Sequence, residues 1–347
     1  MSTDQARIRF APAVRLSPLT ASGAILVGLL VLWLVVNLVK EPSEFYGLFL
    51  IGLTNGAVYG LVALGYSLVY GILELINFAH GDVFMLGGMM VATMTSAWFA
   101  TSSGLGLWGG IMLMLLVAMV ACAAINTTIE LVAYRRLRNA PRLAPLITAI
   151  GMSFILSNIA LRWKGARPTS VPDILPRGEV FTLGGVAYTW NRFIVVLFTV
   201  PVLLALIWLV QQTRQGKAMR ATAQDREAAA MMGINVNRTI SFTFMLAGGL
   251  AGAAGLLYAL YFTNVRFNEG FRVGLIAFTA AVLGGIGNLP GAVLGAMVIA
   301  MIESFNNGFS WATPGSDWSQ TIIFSILILI LVFRPEGLLG ERTPEGG

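Results

Sequence analysis

The sequence predicts an all-α polytopic membrane protein, and three observations carry that prediction. Of 347 residues, 57% are hydrophobic and only 11% are charged, whereas a soluble globular chain is about a quarter charged. The mean hydropathy is +0.80. The apolar residues gather into long runs that do not alternate as barrel strands do, so the crossings are helices. At about 20 apolar residues per crossing, the expectation is about eight full transmembrane helices plus a pair of short or re-entrant helices at 272–305. Little chain is left for a separate soluble domain. A disulfide scaffold is excluded because Cys122 is the only cysteine. The net charge of +6 is no nucleic-acid signal, since the arginines are spread among loops as in proteins that keep basic loops on the cytoplasmic side.

The first apolar run, 24–39, follows a basic start with Arg7, Arg9 and Arg15. No small-x-small cleavage site follows, only Lys40-Glu41-Pro42, so the run reads as an uncleaved helix and not as a signal peptide. Further runs fall at about 46–70, 83–100, 107–132, 143–161, 193–210, 239–262 and 318–333. One basic loop holds Arg135, Arg136, Arg138 and Arg142, and another holds Arg214, Lys217, Arg220, Arg226 and Arg238. Alternating the spans from a cytoplasmic N-terminus places both loops inside, together with the C-terminal Arg334-Pro335-Glu336-Gly337. The 162–192 loop lands outside although it carries Arg162, Lys164, Arg167, Arg177 and Arg192. Its length and its Pro168, Pro172 and Pro176 suit an extracytoplasmic excursion.

Residues 272–305 behave differently. The run from Val273 to Leu283 amounts to roughly 17 Å of helix, short of a hydrocarbon core about 30 Å thick. It breaks at Gly284-Gly285-Ile286-Gly287-Asn288-Leu289-Pro290-Gly291 and resumes to Ile302. Glycines followed by proline suit a helix start. The expectation is two short helices meeting at a glycine-rich bend, as a re-entrant hairpin or as two tilted spans. Broken helices recur along transport paths, and a packed bend without solute contact is the alternative. The helix after Asn288 offers N–H groups that favour a carboxylate.

Small residues recur at helix-contact spacing: Gly52, Gly56 and Gly60; Gly248 and Gly252; Gly287, Gly291 and Gly295. Asn77-Phe78-Ala79-His80-Gly81-Asp82 joins the second and third spans, with Glu74 one turn earlier. Ionisable groups so near hydrocarbon mark pathways or pairs; alternatively, Asp82 caps the third helix. His80 is the only histidine, which excludes a histidine-based metal cluster, and no metal site is expected. No nucleophile motif supports a membrane-embedded enzyme built from His80, Asp82, Glu74 and Glu303. No G-x-x-x-x-G-K-[ST] occurs, so the chain has no visible means of hydrolysing ATP. Residues 215–238, QGKAMRATAQDREAAAMMGINVNR, read as a helix too polar to insert. Gly233 is placed to end it, and Met219, Ala223, Ala230 and Met231 form a modest apolar face. Such a helix suits the groove of a partner protein, or else lies flat on headgroups.

Five segments then carry a resemblance: NGAVYGLVALGYSLVYGILELINFAHGDVFMLGG (55–88), AYRRLRNAPRLAPLITAIGMSFILSN (133–158), MRATAQDREAAAMMGINVNRTI (219–240), AFTAAVLGGIGNLPGAVLGAMVIAMIES (277–304) and FRPEGLLG (333–340). In this order they closely resemble permease subunits of bacterial branched-chain amino-acid ABC transporters, the Liv-type inner-membrane permeases. The resemblance implies a permease domain over 46–340, preceded by a basic start and extra helix (1–45) and followed by a cytoplasmic tail (341–347). It implies a second homologous permease, two cytoplasmic ATPases that hold ATP and magnesium, and a periplasmic solute-binding protein. The chain itself is expected to bind no cofactor. Residues 211–238 correspond to the segment that docks on the ATPase, which assigns coupling to Lys217, Arg220, Asp225, Arg226, Glu227, Ala228, Ala229 and Gly233. The later Ile-x-Leu-Pro part of the importers' EAA-type loop is absent, so only a docking role carries over. Asn77, His80, Asp82, Gly285, Gly287, Asn288 and Gly291 are the candidates for the pathway or its gate. Related permeases carry urea and short amides. A stand-alone secondary transporter is the competing class, disfavoured by the polar docking segment and by the lack of a chain of intramembrane carboxylates.

Overall fold

The computed structural model describes residues 18–100, 106–138, 140–141, 143–176, 178–309, 313–334 and 336–340. Arg7, Arg9, Arg15, Arg142, Arg177, Pro335 and the 341–347 tail lie outside the described residues. The helices are α1 (Pro18–Lys40), α2 (Pro42–Leu73), α3 (Ala79–Ala100), α4 (Gly106–Ile129), α5 (Leu143–Lys164), α6 (Trp190–Gln212), α7 (Arg214–Gln224), α8 (Arg226–Met231), α9 (Val236–Phe262), α10 (Glu269–Gly284), α11 (Leu289–Gly308) and α12 (Ser319–Phe333). Among the described residues, seven helices are long and apolar enough to cross a membrane: α2, α4 with its continuation to Leu137, α5, α6, α9, α11, and α12 with the 3₁₀ turn before it. Four short strands complete the described chain: β1 (Thr169–Ser170), β2 (Glu179–Leu183), β3 (Val186–Thr189) and β4 (Asn264–Val265). β2 and β3 form an antiparallel hairpin inside the 162–192 excursion, and β1 pairs with β4.

Helix ends follow local chemistry. Pro42, which lacks an N–H, opens α2 directly after α1. Glu74 closes α2 in the left-handed conformation (φ 54°), its N–H donating to the Tyr70 carbonyl. α4 loosens into a π-helical turn, Glu130–Tyr134, and then a 3₁₀ turn, Arg135–Leu137.

The core is built on α2, α9 and α11, whose membrane-length windows are mostly buried, whereas α5, α6 and α12 keep most of theirs on the outside. Lipid supplies no hydrophobic drive between helices, so close backbone contact has to hold them. A Cβ on Gly252 would stand 2.8 Å from Met119 Cα, one on Gly248 2.8 Å from Ala123 Cα, and one on Gly255 2.6 Å from the Gly88 nitrogen. α9 thus lies against the α4 backbone on one side and the α3 backbone on the other. α2 meets α11 the same way, with Gly56 against Met297 and Gly52 against Met301. The predicted small-residue seams are realised in these contacts.

The bundle has two distinct ends. At one, α7 and α8 lie beside the end of α2, Arg138 reaches Asn237, and 336–340 covers the bend between α10 and α11. At the other, β1 pairs with β4, and the β2–β3 hairpin touches α2 where Val186 meets Gly47. α10 and α11 form an antiparallel hairpin, as Gly284 against Gly291 and Ala280 against Gly295 show. Only the first member is short: α10 has 16 residues, whereas α11 has 20 and is long enough to cross. The sequence reading stopped α11 at Ile302 because Glu303, Ser304, Asn306 and Asn307 follow. Those groups find partners in Tyr59, the Leu48 carbonyl and Ser319, so the helix continues.

Gly252→Leu is expected to prevent recovery of monodisperse protein in detergent, because the new side chain meets backbone. Gly151→Leu, with nothing within 4 Å of its Cβ, is expected to elute and melt as wild type. Overpacking of this kind costs about 1–3 kcal/mol or more, so equal melting of the two variants would contradict the packing described.

Candidate docking and pathway site

The docking segment differs from the single helix expected. Asp225 interrupts it, because its carboxylate accepts from the N–H groups of Glu227 (2.8 Å) and Ala228 (3.0 Å) and starts a new helix. α7 is itself capped by Thr213, which accepts from Gly216 N–H. α7 buries Met219 and α8 buries Ala229, while Met231 and Met232 stand more than four-fifths exposed. Ala230, also expected on the apolar face, is exposed. Lys217, Arg220, Asp225 and Glu227 are exposed and Ala228 is half-buried. Gly233, at φ +83°, turns the chain toward α9.

Two interactions fasten this segment to the bundle. The Arg226 guanidinium donates to the Leu73 carbonyl (3.0 Å) and to that of Ile72 (3.4 Å), which the end of α2 leaves without helical partners. Arg220 donates to the Val210 carbonyl of α6. Beneath α7 lies a cavity of about 250 Å³ shared by Ser67, Gly71, Met219, Gln224 and Gly287. The docking segment and the glycine bend therefore meet across the end of α2.

At the bend, Gly285 (φ +103°) and Gly287 (φ +90°) adopt backbone that side chains resist. Ser67 accepts from Gly287 N–H at 3.0 Å. Asn288 caps α11 by accepting from Gly291 N–H (2.9 Å), and its amide donates to the Leu339 carbonyl (2.8 Å). Leu338 and Leu339 N–H groups donate to the Leu283 and Gly284 carbonyls. The start of α11 is thus occupied by Asn288 and covered by 336–340, which favours the packed-bend reading over an open carboxylate site.

Asn77, His80 and Asp82 sit deeper. After Leu73 the chain turns back, so that His80 packs against Gly65, eight residues or about 12 Å of helix before the end of α2. α3 therefore begins well inside the bundle. Among the described residues, neither ring nitrogen of His80 has a hydrogen-bond partner, nor has the Tyr66 hydroxyl, whose ring lies edge-on to His80 at 4.9 Å. Asp82 does not cap α3, which starts at Ala79. Its buried carboxylate instead accepts from the hydroxyls of Ser153 and Ser157 (2.7 Å for the latter) and ties α3 to α5. Asn77 accepts from Tyr134 (2.9 Å), and Asn126 donates to the Phe244 carbonyl (2.7 Å), linking α4 and α9.

Sequence reasoning missed a buried ion cluster. Glu130, fully buried in the π turn, takes Arg135 (3.2 Å), Arg138 and the Ser241 hydroxyl (2.7 Å). Burial pulls the Arg138 guanidinium below its ordinary value, and the Glu130 carboxylate opposes that shift. The signal available was an acid inside an apolar run with arginines five and eight residues on. Among the described residues, no group of three or more His, Cys, Asp or Glu could hold a metal.

Long apolar helices seamed by glycine, one helix starting at depth, and a polar segment clamped to the end of a core helix define a polytopic helical membrane permease. Residues 48–331 match the family described as branched-chain amino acid transport system, permease component, and the chain belongs to that family. It is 38% identical over 303 residues to the high-affinity branched-chain amino acid transport system permease protein BraD of Pseudomonas aeruginosa, covering 85% of this chain and 95% of that protein. It is 35% identical over 309 residues to the corresponding protein LivH of Escherichia coli, again covering 85% and 95%. A probable branched-chain amino acid transport permease of Methanocaldococcus jannaschii is 25% identical over 81% of this chain and 88% of that one.

Glu130→Ala is expected to lower stability in detergent by about 3–5 kcal/mol, since it strands the mostly buried Arg138 guanidinium without its carboxylate, while exposed Arg135 turns to solvent. Ser241→Ala, which removes one hydrogen bond, is expected to cost about 1 kcal/mol. Thermal melting of the purified chain reads both, and equal shifts would contradict the cluster's geometry.

Proposed function

We propose that the chain is one of two membrane subunits of an ATP-driven, binding-protein-dependent importer whose solute is a branched-chain or related amino acid. The observation that carries the reading is the clamped, Met-tipped docking segment: a polar unit held to α2 by Arg226, with Met231 and Met232 turned outward. Flexible, polarizable methionines suit the groove of a protein partner. The names and extent of the relatives support the solute.

The end that carries this segment gathers Arg135, Arg136, Arg138, Arg214, Lys217, Arg220, Arg226, Arg238 and Arg334. By the positive-inside tendency it faces the cytoplasm, with both termini on that side of the inner membrane. The 162–192 excursion then faces the periplasm and the binding protein. Two ATPase subunits hold ATP and magnesium and close on binding them, and a second, homologous permease completes the pathway. Closure displaces α7 and α8, Arg226 carries the displacement to the end of α2, and α2 passes it to the bend at 285–288 and to α11. The pathway is thereby biased between two openings.

Arg226→Ala in the reconstituted complex is expected to cut ATP-driven leucine uptake about tenfold, a size typical of lost coupling, while ATP hydrolysis persists. Met231→Asp combined with Met232→Asp is expected to abolish co-purification of the ATPases. Uptake by the chain alone in ATP-free liposomes would overturn the importer reading.

A further inference from the structure

Opposite the docking end, the turn from α9 into α10 encloses a cavity of about 360 Å³ that none of the assignments above uses. One wall is aromatic: Tyr258 and Phe262 lie 4.4 Å apart between ring centroids, tilted by 35°. The remaining lining includes Arg266, Asn268, Glu269 and Arg272. Arg272 is spoken for, holding Glu269 Oε2 at 3.0 Å and standing 3.9 Å from Glu303, which also accepts from Tyr59. Arg266 is different. It is exposed, and among the described residues no acid lies within ion-pair distance of it. The pairing of Thr169 with Val265 anchors the backbone of the residue before Arg266, which directly follows β4.

We infer that this cavity is a solute site for a zwitterionic α-amino acid. Arg266 takes the carboxylate, Glu269 and the Asn268 side-chain carbonyl take the ammonium, and the apolar side chain lies on Phe262 over Tyr258. Within the lining, Arg266 and Arg272 face the single carboxylate of Glu269, so one positive charge is left for a ligand carboxylate to offset. The volume falls in the range of small-molecule sites, about 300–1,000 Å³. Planar guanidinium–carboxylate pairing fixes the ligand's orientation. The inference rests on the amino-acid importer reading and deepens it, by giving the membrane subunit a solute contact of its own at the mouth that the excursion flanks.

The test uses the complete complex in lipid nanodiscs without binding protein, titrated with tritiated leucine. Saturable binding is expected for wild type. Arg266→Ala is expected to weaken it about tenfold or more, as loss of a charge-assisted pair does, and Arg266→Lys to restore part of it. Phe262→Ala is expected to shift preference from leucine toward alanine. Absence of saturable binding to the intact wild-type complex would overturn the site. So would Arg266→Ala affinity equal to wild type, or an Arg266→Ala defect confined to capture of the loaded binding protein, which would make the cavity a protein-docking point. Failure of the importer reading itself shows earlier and separately, as purification of the chain without ATPases.

Discussion

Contact between backbones is the constraint on which the rest of this protein depends. In a bilayer, an apolar side chain gains nothing by leaving lipid for protein, so helices associate only where they fit closely. α9 meets this requirement twice over, with glycines facing α4 and α3. The same rule joins α2 to α11 and closes the α10–α11 hairpin at Gly284 and Gly291. Everything with chemical character is arranged around these seams. Because they admit no side chain, α2 and α11 are held as a closely fitted pair.

Polar clusters add direction to that packing. Glu130 binds the π turn to α9 through Ser241, Asp82 binds α3 to α5, and Glu303 joins α11 to α2 through Tyr59 and faces Arg272 of α10. Each carboxylate is buried and bonded to a group from another helix. In lipid an unpaired carboxylate is costly, so each cluster selects one register among those that the glycine seams would tolerate. Among the described residues, the His80 ring nitrogens and the Tyr66 hydroxyl are buried without hydrogen-bond partners, as are the Thr222 hydroxyl and the Asn306 side-chain oxygen.

Much of this was legible in the sequence, and the limits have physical causes. The spans were readable because apolar length is a local property. The bend at 284–291 was readable because glycine and proline punctuate locally. The polar segment 215–238 was read as one helix, since Asp225 favours helix interruption only when its side chain turns to cap the next residues. α11 was cut short at Ile302 because the partners of Glu303 and Asn306 lie on α2 and beside α12, far along the chain. The return of 74–78 into the bundle, and the grip of Ser153 and Ser157 on Asp82, depend on α5 arriving from 71 residues away. No local pattern encodes such a meeting.

The core helices and the outer helices differ in how they can enter a bilayer. α2, α9 and α11, the most buried, are also among the less apolar of the seven, and α6, the most apolar, is mostly exposed. A ribosome delivering this chain therefore presents the membrane first with α2, then with the more outward-facing α4, α5 and α6, and only afterwards with α9 and α11. α2 emerges long before α9 and α11, the partners that cover its glycines and polar groups. During synthesis that helix waits for its final packing partners until some two hundred further residues have followed, roughly ten to forty seconds at usual elongation rates. Biogenesis, and not only the transport cycle, is thus written into which helices were made core.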